Sequence, residues 1–163
     1  MSSLDSEFAR LVAQLDYPML VVTVANGQER SGCLVGFGSQ VSIHPPRFLV
    51  CLSVQNHTYE VAREADTLVV HLVAPERPDL AGLFGSQTGD EVDKFSRCQW
   101  TEGPAGAPIL AGLPSWFVAR VLERVPFGDH VGFLLEPTEV HLGEPGGTLR
   151  FRQISWIEPG HEP

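Results

Sequence analysis

The sequence predicts a mainly β domain: a closed or partly open antiparallel barrel with inserted helices. Short runs rich in β-branched residues recur along most of the chain, and an Asn-Gly pair at residues 26–27 separates two of them, which is typical of a β-hairpin. Helical periodicity is confined to the start and the middle of the chain. The strand–helix–strand pattern of residues 48–74 also suits a parallel βαβ unit, but a single such unit leaves the barrel favoured.

The first element is predicted to be an amphipathic helix. Apolar residues recur at helical spacing over residues 4–15, and Asp5 or Ser6 is a suitable N-cap. The pair Tyr17-Pro18 then ends the helix, because the residue before a proline is pushed out of the helical region.

The later elements are predicted from the same two periods. Strands are expected at residues 19–24, 29–37, 48–54, 67–73, 115–125, 132–141 and 149–157, and helical segments at 58–65, 78–84 and 90–95. Thr58 is a suitable cap for the second helix. Residues 99–114 are rich in Gly and Pro, which predicts a loop. The expected division of the chain is an N-terminal helix (1–16), one barrel domain (17–158) and a flexible tail (159–163).

Composition bounds the class of protein. Apolar residues are 43% of the 163 residues and charged residues 19%, which predicts one compact globular domain. The formal net charge is −9 with no basic run, which argues against a nucleic-acid backbone or an anionic membrane surface as a partner. Lys94 is the only lysine, so a bound phosphate would be held by Arg, His, hydroxyl groups or backbone amides. The three cysteines match no zinc spacing, and neither a signal peptide nor a membrane-spanning run is readable, so we expect a cytoplasmic protein.

Several single features admit more than one interpretation. Gly36-Phe37-Gly38 begins like a dinucleotide fingerprint, but Val41 stands at the third glycine position and no helix follows, so we reject a Rossmann site. The phenylalanine between these glycines is either a core residue at a β-bulge or part of a strand edge against which a flat ligand lies. His130 either belongs to a turn stabilised by Asp129 or is an imidazole held over a cleft. His71 is most simply a half-buried packing residue, and no histidine has metal-ligand spacing, so no metal site is expected.

A series of short motifs occurs in one order along the chain. The run from Gly32 to Leu52 contains Val-Ser-Ile-His-Pro-Pro at residues 41–46, directly before a predicted strand. Further motifs are Asn-His-Thr at 56–58, Val-His-Leu at 70–72, Leu-Phe-Gly at 83–85, Asp-Lys-Phe at 93–95, Pro-Ile-Leu at 108–110 and Gly-Asp-His at 128–130. Together, over residues 16–142, they resemble the flavin reductase-like, FMN-binding split-barrel family, in which Val-Ser-hydrophobe-Asp-Pro-Pro precedes a strand.

The resemblance implies a Greek-key split β-barrel, usually a homodimer, that binds a flavin in a groove near the subunit interface. The flavin is expected to be FMN, with FAD as the other candidate. The segment over residues 34–42 is expected to lie along the isoalloxazine ring, and the polypeptide after the next strand to receive the phosphate. The implied cofactor-binding residues are Val35, Gly36, Phe37, Ser39, Gln40, Ser42, Ser53, Asn56, His57, Thr58 and Phe84. His130 is expected near the flavin and the nicotinamide, in the catalytic role.

The function implied by the resemblance is reduction of FMN or FAD by NADH or NADPH, with a separate monooxygenase as the candidate recipient of the reduced flavin. The chain departs from the family at Gly36-Phe37-Gly38, where Asn-Ser-Phe is common, at Gln40 in place of Ser and at His44 in place of Asp. The departures at residues 36–38 motivate a second hypothesis, a carrier, sensor or chaperone that binds flavin or deazaflavin without turnover. A third hypothesis is a split barrel that binds haem through a histidine, which an absorption spectrum would separate from flavin.

Overall fold

The structure, a computed structural model, describes residues 1–86 and 93–158. Its strands are β1 (Leu20–Ala25), β2 (Arg30–Val35), β3 (Gly38–Ser42), β4 (Arg47–Ser53), β5 (Thr67–Leu72), β6 (Trp100–Glu102), β7 (Pro108–Leu110), β8 (Trp116–Pro126) and β9 (His130–His141). Its α-helices are α1 (Ser3–Val12), α2 (His57–Ala62) and α3 (Pro78–Ser86), and short 3₁₀ helices span Lys94–Ser96, Pro104–Gly106 and Phe151–Ile154. The first three residues of the helical turn expected at 90–95, and the tail expected at 159–163, lie outside the described residues.

Seven strands form one sheet with the order β2-β1-β5-β8-β9-β4-β3, and every neighbouring pair is antiparallel. β4 and β5, the strands of the suspected βαβ unit, are not neighbours, so that alternative is wrong. β2 and β3 lie at opposite ends of the order, yet only Gly36 and Phe37 separate them in the chain. The sheet therefore curls until its ends meet, and the predicted mainly β barrel with inserted helices is confirmed.

The apolar side chains of the strands alternate between two cores. In β1, Leu20, Val22 and Val24 pack into the barrel interior, in a core shared with β2, β4, β5, β8 and β9. Val21, and Met19 just before the strand, pack on the opposite face with side chains of α3 and of the C-terminal segment, residues 149–157. Because successive side chains of a strand point to opposite faces, one short run of the sequence supplies both cores.

His71 lies in β5 and is fully buried, not half-buried as expected. Its Nδ1 is 3.1 Å from the carbonyl oxygen of Val21, and its Nε2 accepts a 3.0 Å hydrogen bond from the backbone N–H of Leu110. Both bonds are satisfied only by a neutral ring that carries its proton on Nδ1. Burial lowers the pKa of His71 from 6.5 to about 4. The histidine thus connects the barrel wall to β7 in its neutral form.

The expected loop at residues 99–114 contains a small antiparallel sheet formed by β6 and β7. Each of these strands has three residues, which is too short for an alternating pattern to be recognised. Thr23 donates a side-chain hydrogen bond to the carbonyl oxygen of Pro108, at the start of β7. Together with the bond from Leu110 to His71, this bond fixes the small sheet against the outside of the barrel.

The strand expected at residues 149–157 is wrong. Leu149 donates a backbone hydrogen bond to Val73, and the segment then runs beside Pro18 through a single bridge. A proline has no N–H with which to extend a strand ladder, and residues 151–154 turn into a 3₁₀ helix instead. The apolar residues of this segment pack onto α3 and the outer core.

Two helices begin at residues other than the expected caps. Ser2, rather than Asp5 or Ser6, caps α1: its hydroxyl accepts from the N–H of Asp5, and the Asp5 carboxylate accepts from the N–H of Ser2. Asn56, rather than Thr58, caps α2. In both helices the cap is the residue whose side-chain oxygen reaches an otherwise unbonded N–H of the first turn.

The predicted amphipathic helix at the start of the chain is confirmed as α1, but its apolar stripe is exposed. Leu4, Phe8 and Leu11 are exposed by 71%, 61% and 60%, and no residue of α1 is buried. Within the described part of the chain, no helix combines the length and the apolar character needed to span a bilayer.

We expect the free energy of unfolding to fall as the pH drops from 6.5 towards 4, because the unfolded chain takes up a proton on His71 in this interval and the folded chain does not. The loss attributable to His71 is about 3 kcal/mol by pH 4. Urea unfolding across this range checks it. His71→Gln is expected to reduce the slope of the free energy of unfolding against pH, whereas His141→Gln, at an exposed position, leaves this slope unchanged. A wild-type slope in His71→Gln would contradict the assignment.

Candidate functional site

A cleft of about 390 Å³ opens beside the junction of β2 and β3. Five parts of the chain form its walls: residues 17–19 before β1, the end of β2 with the two residues that follow it, the end of β4 with the cap of α2 and the start of β9, the end of α3, and the C-terminal segment. The residues that line it are Tyr17, Met19, Cys33, Leu34, Val35, Gly36, Phe37, Cys51, Leu52, Ser53, Asn56, Phe84, Gly85, His130, Phe151, Ile154, Ser155 and Ile157. A largely apolar cleft with a few polar groups is typical of a site for an organic ligand.

A row of aromatic rings follows the cleft. Phe151 stacks on Tyr17 with ring centroids 4.8 Å apart, and Tyr17 meets Phe37 edge-on at 6.1 Å. Phe37 in turn lies 5.0 Å from the ring of His130. Phe37 is 53% exposed, so its interpretation as a core phenylalanine is wrong. The row offers a flat ligand several aromatic surfaces.

Close packing against the Tyr17 ring leaves no room for a side chain on Gly36, and it restricts the space at Gly38. A Cβ atom on Gly36 would lie 2.4 Å from a ring carbon of Tyr17, and one on Gly38 would lie 2.8 Å from a methyl carbon of Leu20. The carbonyl oxygen of Phe37, between them, accepts a 2.9 Å hydrogen bond from the N–H of Cys51. The glycines therefore let this stretch of backbone lie directly against its neighbours at the edge of the cleft.

His130 is the first residue of β9 and pairs with Ser53 of β4. Its Nδ1 lies 2.7 Å from a carboxylate oxygen of Asp129. A carboxylate at Nδ1 holds the ring proton on that nitrogen, which leaves Nε2 of the neutral imidazole as an acceptor. Of the two interpretations of this residue, the structure favours the imidazole at a cleft, because the ring is part of the lining and Asp129 orients it.

The structure brings some of the predicted site residues together and leaves others apart. Those that line the cleft are Val35, Gly36, Phe37, Ser53, Asn56, Phe84 and His130, and those that do not are Ser39, Gln40, Ser42, His57 and Thr58. On β3 the Ser39 hydroxyl donates to the Gln40 carbonyl and the Gln40 amide to the Ser42 carbonyl. His57 places Nε2 2.9 Å from a carboxylate oxygen of Glu29, in the hairpin between β1 and β2.

The polar end of the cleft is the corner between β4 and α2. The Ser53 hydroxyl accepts a 3.2 Å bond from the N–H of Gln55, and the Ser53 carbonyl accepts a 3.0 Å bond from the N–H of Asn56. The Asn56 side-chain oxygen caps α2 through the N–H of Thr58 at 2.9 Å. Thr58 itself is buried, with its hydroxyl 2.8 Å from that of Ser31. Ser53 and Asn56 therefore supply polar side chains to the cleft, whereas Thr58 lies behind them.

Sequence reasoning missed the C-terminal wall of the cleft, which the C-terminal segment forms, because the family resemblance extends only to residue 142. Asp16 holds this wall in place: its carboxylate accepts from the backbone N–H of Arg152 at 3.0 Å and from Nε of Arg150 at 3.2 Å. The backbone hydrogen bond from Arg152 is the main reason that the pKa of the Asp16 carboxyl is lowered. The sequence signal that could have revealed this wall is the pair of arginines on either side of Phe151, in a chain with few cations.

The arrangement suits binding and orientation rather than covalent chemistry by the protein. Burial raises the pKa of the thiols of Cys33 and Cys51, so neither is an activated nucleophile. Among the described residues, no three His, Cys, Asp or Glu side chains lie close enough together to hold a metal ion. The cleft can hold a flat ring and orient a second one, and the bond-making chemistry would come from the ligands.

Comparisons with known proteins agree with the fold and cover nearly the whole chain. A family profile described as "Flavin reductase like domain" matches residues 12–155. The "FMN reductase (NADH) RutF" of Serratia proteamaculans (strain 568) is 31% identical over 124 residues, which are 76% of this chain and 70% of the relative.

Two solved structures carry the same fold. The flavin reductase domain protein from Arthrobacter sp. FB24 superposes with a TM-score of 0.83 at 20% identity, over 91% of this chain and 91% of that chain. The NADH:FAD oxidoreductase SgcE6 of Streptomyces globisporus C-1027 gives a TM-score of 0.77 at 25% identity, over 83% of this chain and 81% of that chain. The expected split-barrel fold is confirmed.

We expect Asp16→Asn to loosen the C-terminal wall of the cleft. Asn tolerates the positive φ of 47° at this position but replaces the charged acceptor of the two arginine bonds by a neutral one. Amide hydrogen exchange should become faster over residues 149–157. The matched control is Asp79→Asn, which breaks another Asp–Arg pair, with Arg77, and should leave that segment unchanged. Unaltered exchange over 149–157 in Asp16→Asn would show that Asp16 does not hold the wall.

Proposed function

The chain belongs to the flavin reductase-like family, and from that premise we propose that it catalyses the reduction of FMN or FAD by NADH or NADPH. The observation that carries the proposal is the match of the family profile to residues 12–155, combined with an open cleft at the junction of β2 and β3. The relatives named as an FMN reductase (NADH) and an NADH:FAD oxidoreductase support both the nucleotide and the flavin.

The residues of the cleft fit a flavin. Its volume of about 390 Å³ lies in the range of small-ligand pockets, and the missing side chain of Gly36 lets the Tyr17 ring pack directly on the backbone at the edge of the cleft. We assign the main chain of residues 35–37 and the ring of Phe84 to the flat isoalloxazine, and Ser53 and Asn56 to its polar substituents. A flavin bound there supplies the hydride-accepting chemistry, which no side chain of the protein has.

His130 has the position of an orienting group in this proposal. Its Nε2 is the acceptor nitrogen while Nδ1 bonds Asp129, so it can accept an N–H from a nicotinamide carboxamide at the rim of the cleft. Holding the two rings in one orientation supplies the proximity on which hydride transfer depends. Ser39, Gln40, Ser42, His57 and Thr58 stay predictions, as contacts of those parts of the flavin that reach beyond the cleft.

The alternatives of a carrier, a sensor or a haem protein are not favoured. The carrier hypothesis was motivated by Gly36-Phe37-Gly38, which departs from the family pattern. In the structure these residues leave the cleft open: the glycines make room for neighbouring side chains, and Phe37 joins the aromatic row. The departures therefore change the surface against which a ring would lie without removing the space for it.

We further propose that the protein works as a cytoplasmic homodimer and passes reduced flavin to a separate monooxygenase. Exposed apolar residues on β3 (Val41), directly after it (Ile43) and near the end of β9 (Val140) favour a second copy as partner. A monomer in sedimentation velocity would contradict the dimer.

NADH and NADPH are cytoplasmic nucleotides, and the three free cysteines are typical of a reducing compartment. Passing on the product requires reduced FMN to leave the protein, so retention during anaerobic filtration would contradict that role.

The function is tested by mixing the purified protein with NADH and excess FMN and following NADH oxidation. We expect rapid turnover, because the cleft brings the two rings together. FAD and NADPH replace FMN and NADH in parallel reactions. If none of the four combinations is accelerated, the reductase proposal is wrong and a non-turnover flavin protein becomes the better interpretation.

For His130→Ala we expect hydride transfer to slow by about 10- to 100-fold, with little change in the dissociation constant of oxidised FMN. The reason is that His130 orients the nicotinamide, whereas the main chain of residues 35–37 holds the flavin. Stopped-flow reduction and fluorescence titration measure the two quantities separately. His141→Ala, an exposed histidine at the other end of β9, is the control. Equal losses in both quantities, or in neither, would remove His130 from this role.

A further inference from the structure

Lys94, the only lysine of the chain, is buried beside the cleft. Lys94 is only 5% exposed, and it is the first residue of the short 3₁₀ helix of residues 94–96. The ammonium group donates hydrogen bonds of 3.1 Å to the carbonyl oxygen of Gly32 in β2 and of 3.1 Å to that of Phe84 in α3. It also lies 5.6 Å from the centroid of the Phe84 ring. Neutral groups therefore solvate this cation.

Among the described residues, no carboxylate forms an ion pair with Lys94. Burial lowers the pKa of its ammonium group accordingly. A buried cation whose described hydrogen-bond partners are neutral carbonyl groups leaves a positive potential in its surroundings, and that potential is poorly screened where water is excluded.

The surroundings of Lys94 are the wall of the cleft. Phe84, whose carbonyl and ring contact the ammonium, is itself a lining residue, and Gly32 directly precedes the lining run that begins at Cys33. The packing is close at this point: a Cβ on Gly32 would lie 2.9 Å from the Phe84 ring. Phe84 is therefore in contact with both the charge and the cleft.

We propose that Lys94 is the fixed positive charge that makes this cleft bind reduced flavin more tightly, relative to oxidised flavin, than a neutral wall would. The proposal rests on the proposed function. Hydride transfer breaks a C–H bond of the nicotinamide of NADH and forms an N–H bond on the flavin. Both electrons move with the hydrogen, NAD⁺ leaves, and the neutral isoalloxazine becomes a monoanion. A nearby cation stabilises that anion and has little effect on the neutral ring.

The competing explanation is purely structural. An ammonium bonded to the last turn of α3 favours the helix end and ties α3 to β2, whatever the cleft contains. The two explanations differ in what they predict for the two redox states. A structural tether acts on both dissociation constants equally, whereas a charge acts on their ratio.

The test compares Lys94→Met and Lys94→Gln with the wild type. Fluorescence titration gives the dissociation constant of oxidised FMN, and anaerobic titration gives that of reduced FMN. We expect loss of the charge to weaken binding of reduced FMN by about tenfold more than binding of oxidised FMN. The midpoint potential of bound FMN falls correspondingly. Lys94→Gln keeps an N–H donor for the two carbonyls, so it serves as the test if Lys94→Met does not fold.

The matched control is Arg124→Met. Arg124 donates to the carbonyl oxygens of Ala62 and Ala65 at the end of α2, much as Lys94 does at the end of α3, but it does not line the cleft. Its loss should lower stability and leave the ratio of the two constants unchanged. An unchanged ratio in both Lys94 variants overturns the charge proposal while leaving the reductase function intact. A wild-type protein that binds neither form of FMN overturns both.

Discussion

The short link between β2 and β3 is the constraint on which the rest of this structure depends. These strands lie at opposite ends of the sheet order, yet only Gly36 and Phe37 connect them. The sheet must close on itself for such a link to be possible, and the closure makes the barrel. At the link the backbone passes so close to Tyr17 that no side chain fits on Gly36, and the Phe37 carbonyl bonds Cys51 of β4. The cleft opens at this junction, because two residues cannot fill the space between the two edge strands and the C-terminal wall.

The few cations of this chain serve its folding as well as its site. Lys94 bonds the carbonyl oxygen of Phe84 at the end of α3, and Arg124 bonds the carbonyl oxygens of Ala62 and Ala65 at the end of α2. The last carbonyl groups of a helix lack partners within the helix and carry partial negative charge, so a cation there satisfies both needs. The cation at the end of α3 comes from the segment that follows this helix, whereas the cation at the end of α2 comes from β8, which lies far along the sequence. A phosphate bound by this protein cannot recruit these two cations without releasing a helix end.

The parts of the structure that could be predicted are those in which local pattern and tertiary environment agree. The runs rich in β-branched residues in β1 and β5 are buried in the sheet, so these strands and the barrel followed from the sequence. His130 was recognised through its motif, and the structure places it at the cleft. The C-terminal wall was missed because Asp16 holds residues 149–157 across more than a hundred positions, and no local period records such a bond. The role of His71 was missed for a similar reason: its partner Leu110 lies in a three-residue strand that has no detectable pattern.

The polar corner of the cleft indicates how firmly a flavin would be held. His57 is paired with Glu29, and Thr58 is buried against Ser31, so these two predicted phosphate contacts already have partners in the protein. Lys94 is buried in bonds to two carbonyl groups and is not free to bind a phosphate. The affinity for a flavin therefore depends mainly on the contacts of its flat ring with backbone and aromatic side chains. Ring contacts are shared by FMN and FAD, which differ beyond the isoalloxazine, so a site of this kind discriminates weakly between them. A flavin held chiefly by its ring also exchanges more readily than one anchored at its phosphate, because fewer charge-assisted hydrogen bonds must break. The geometry thus favours a flavin that enters, is reduced and leaves over one that stays bound as a prosthetic group.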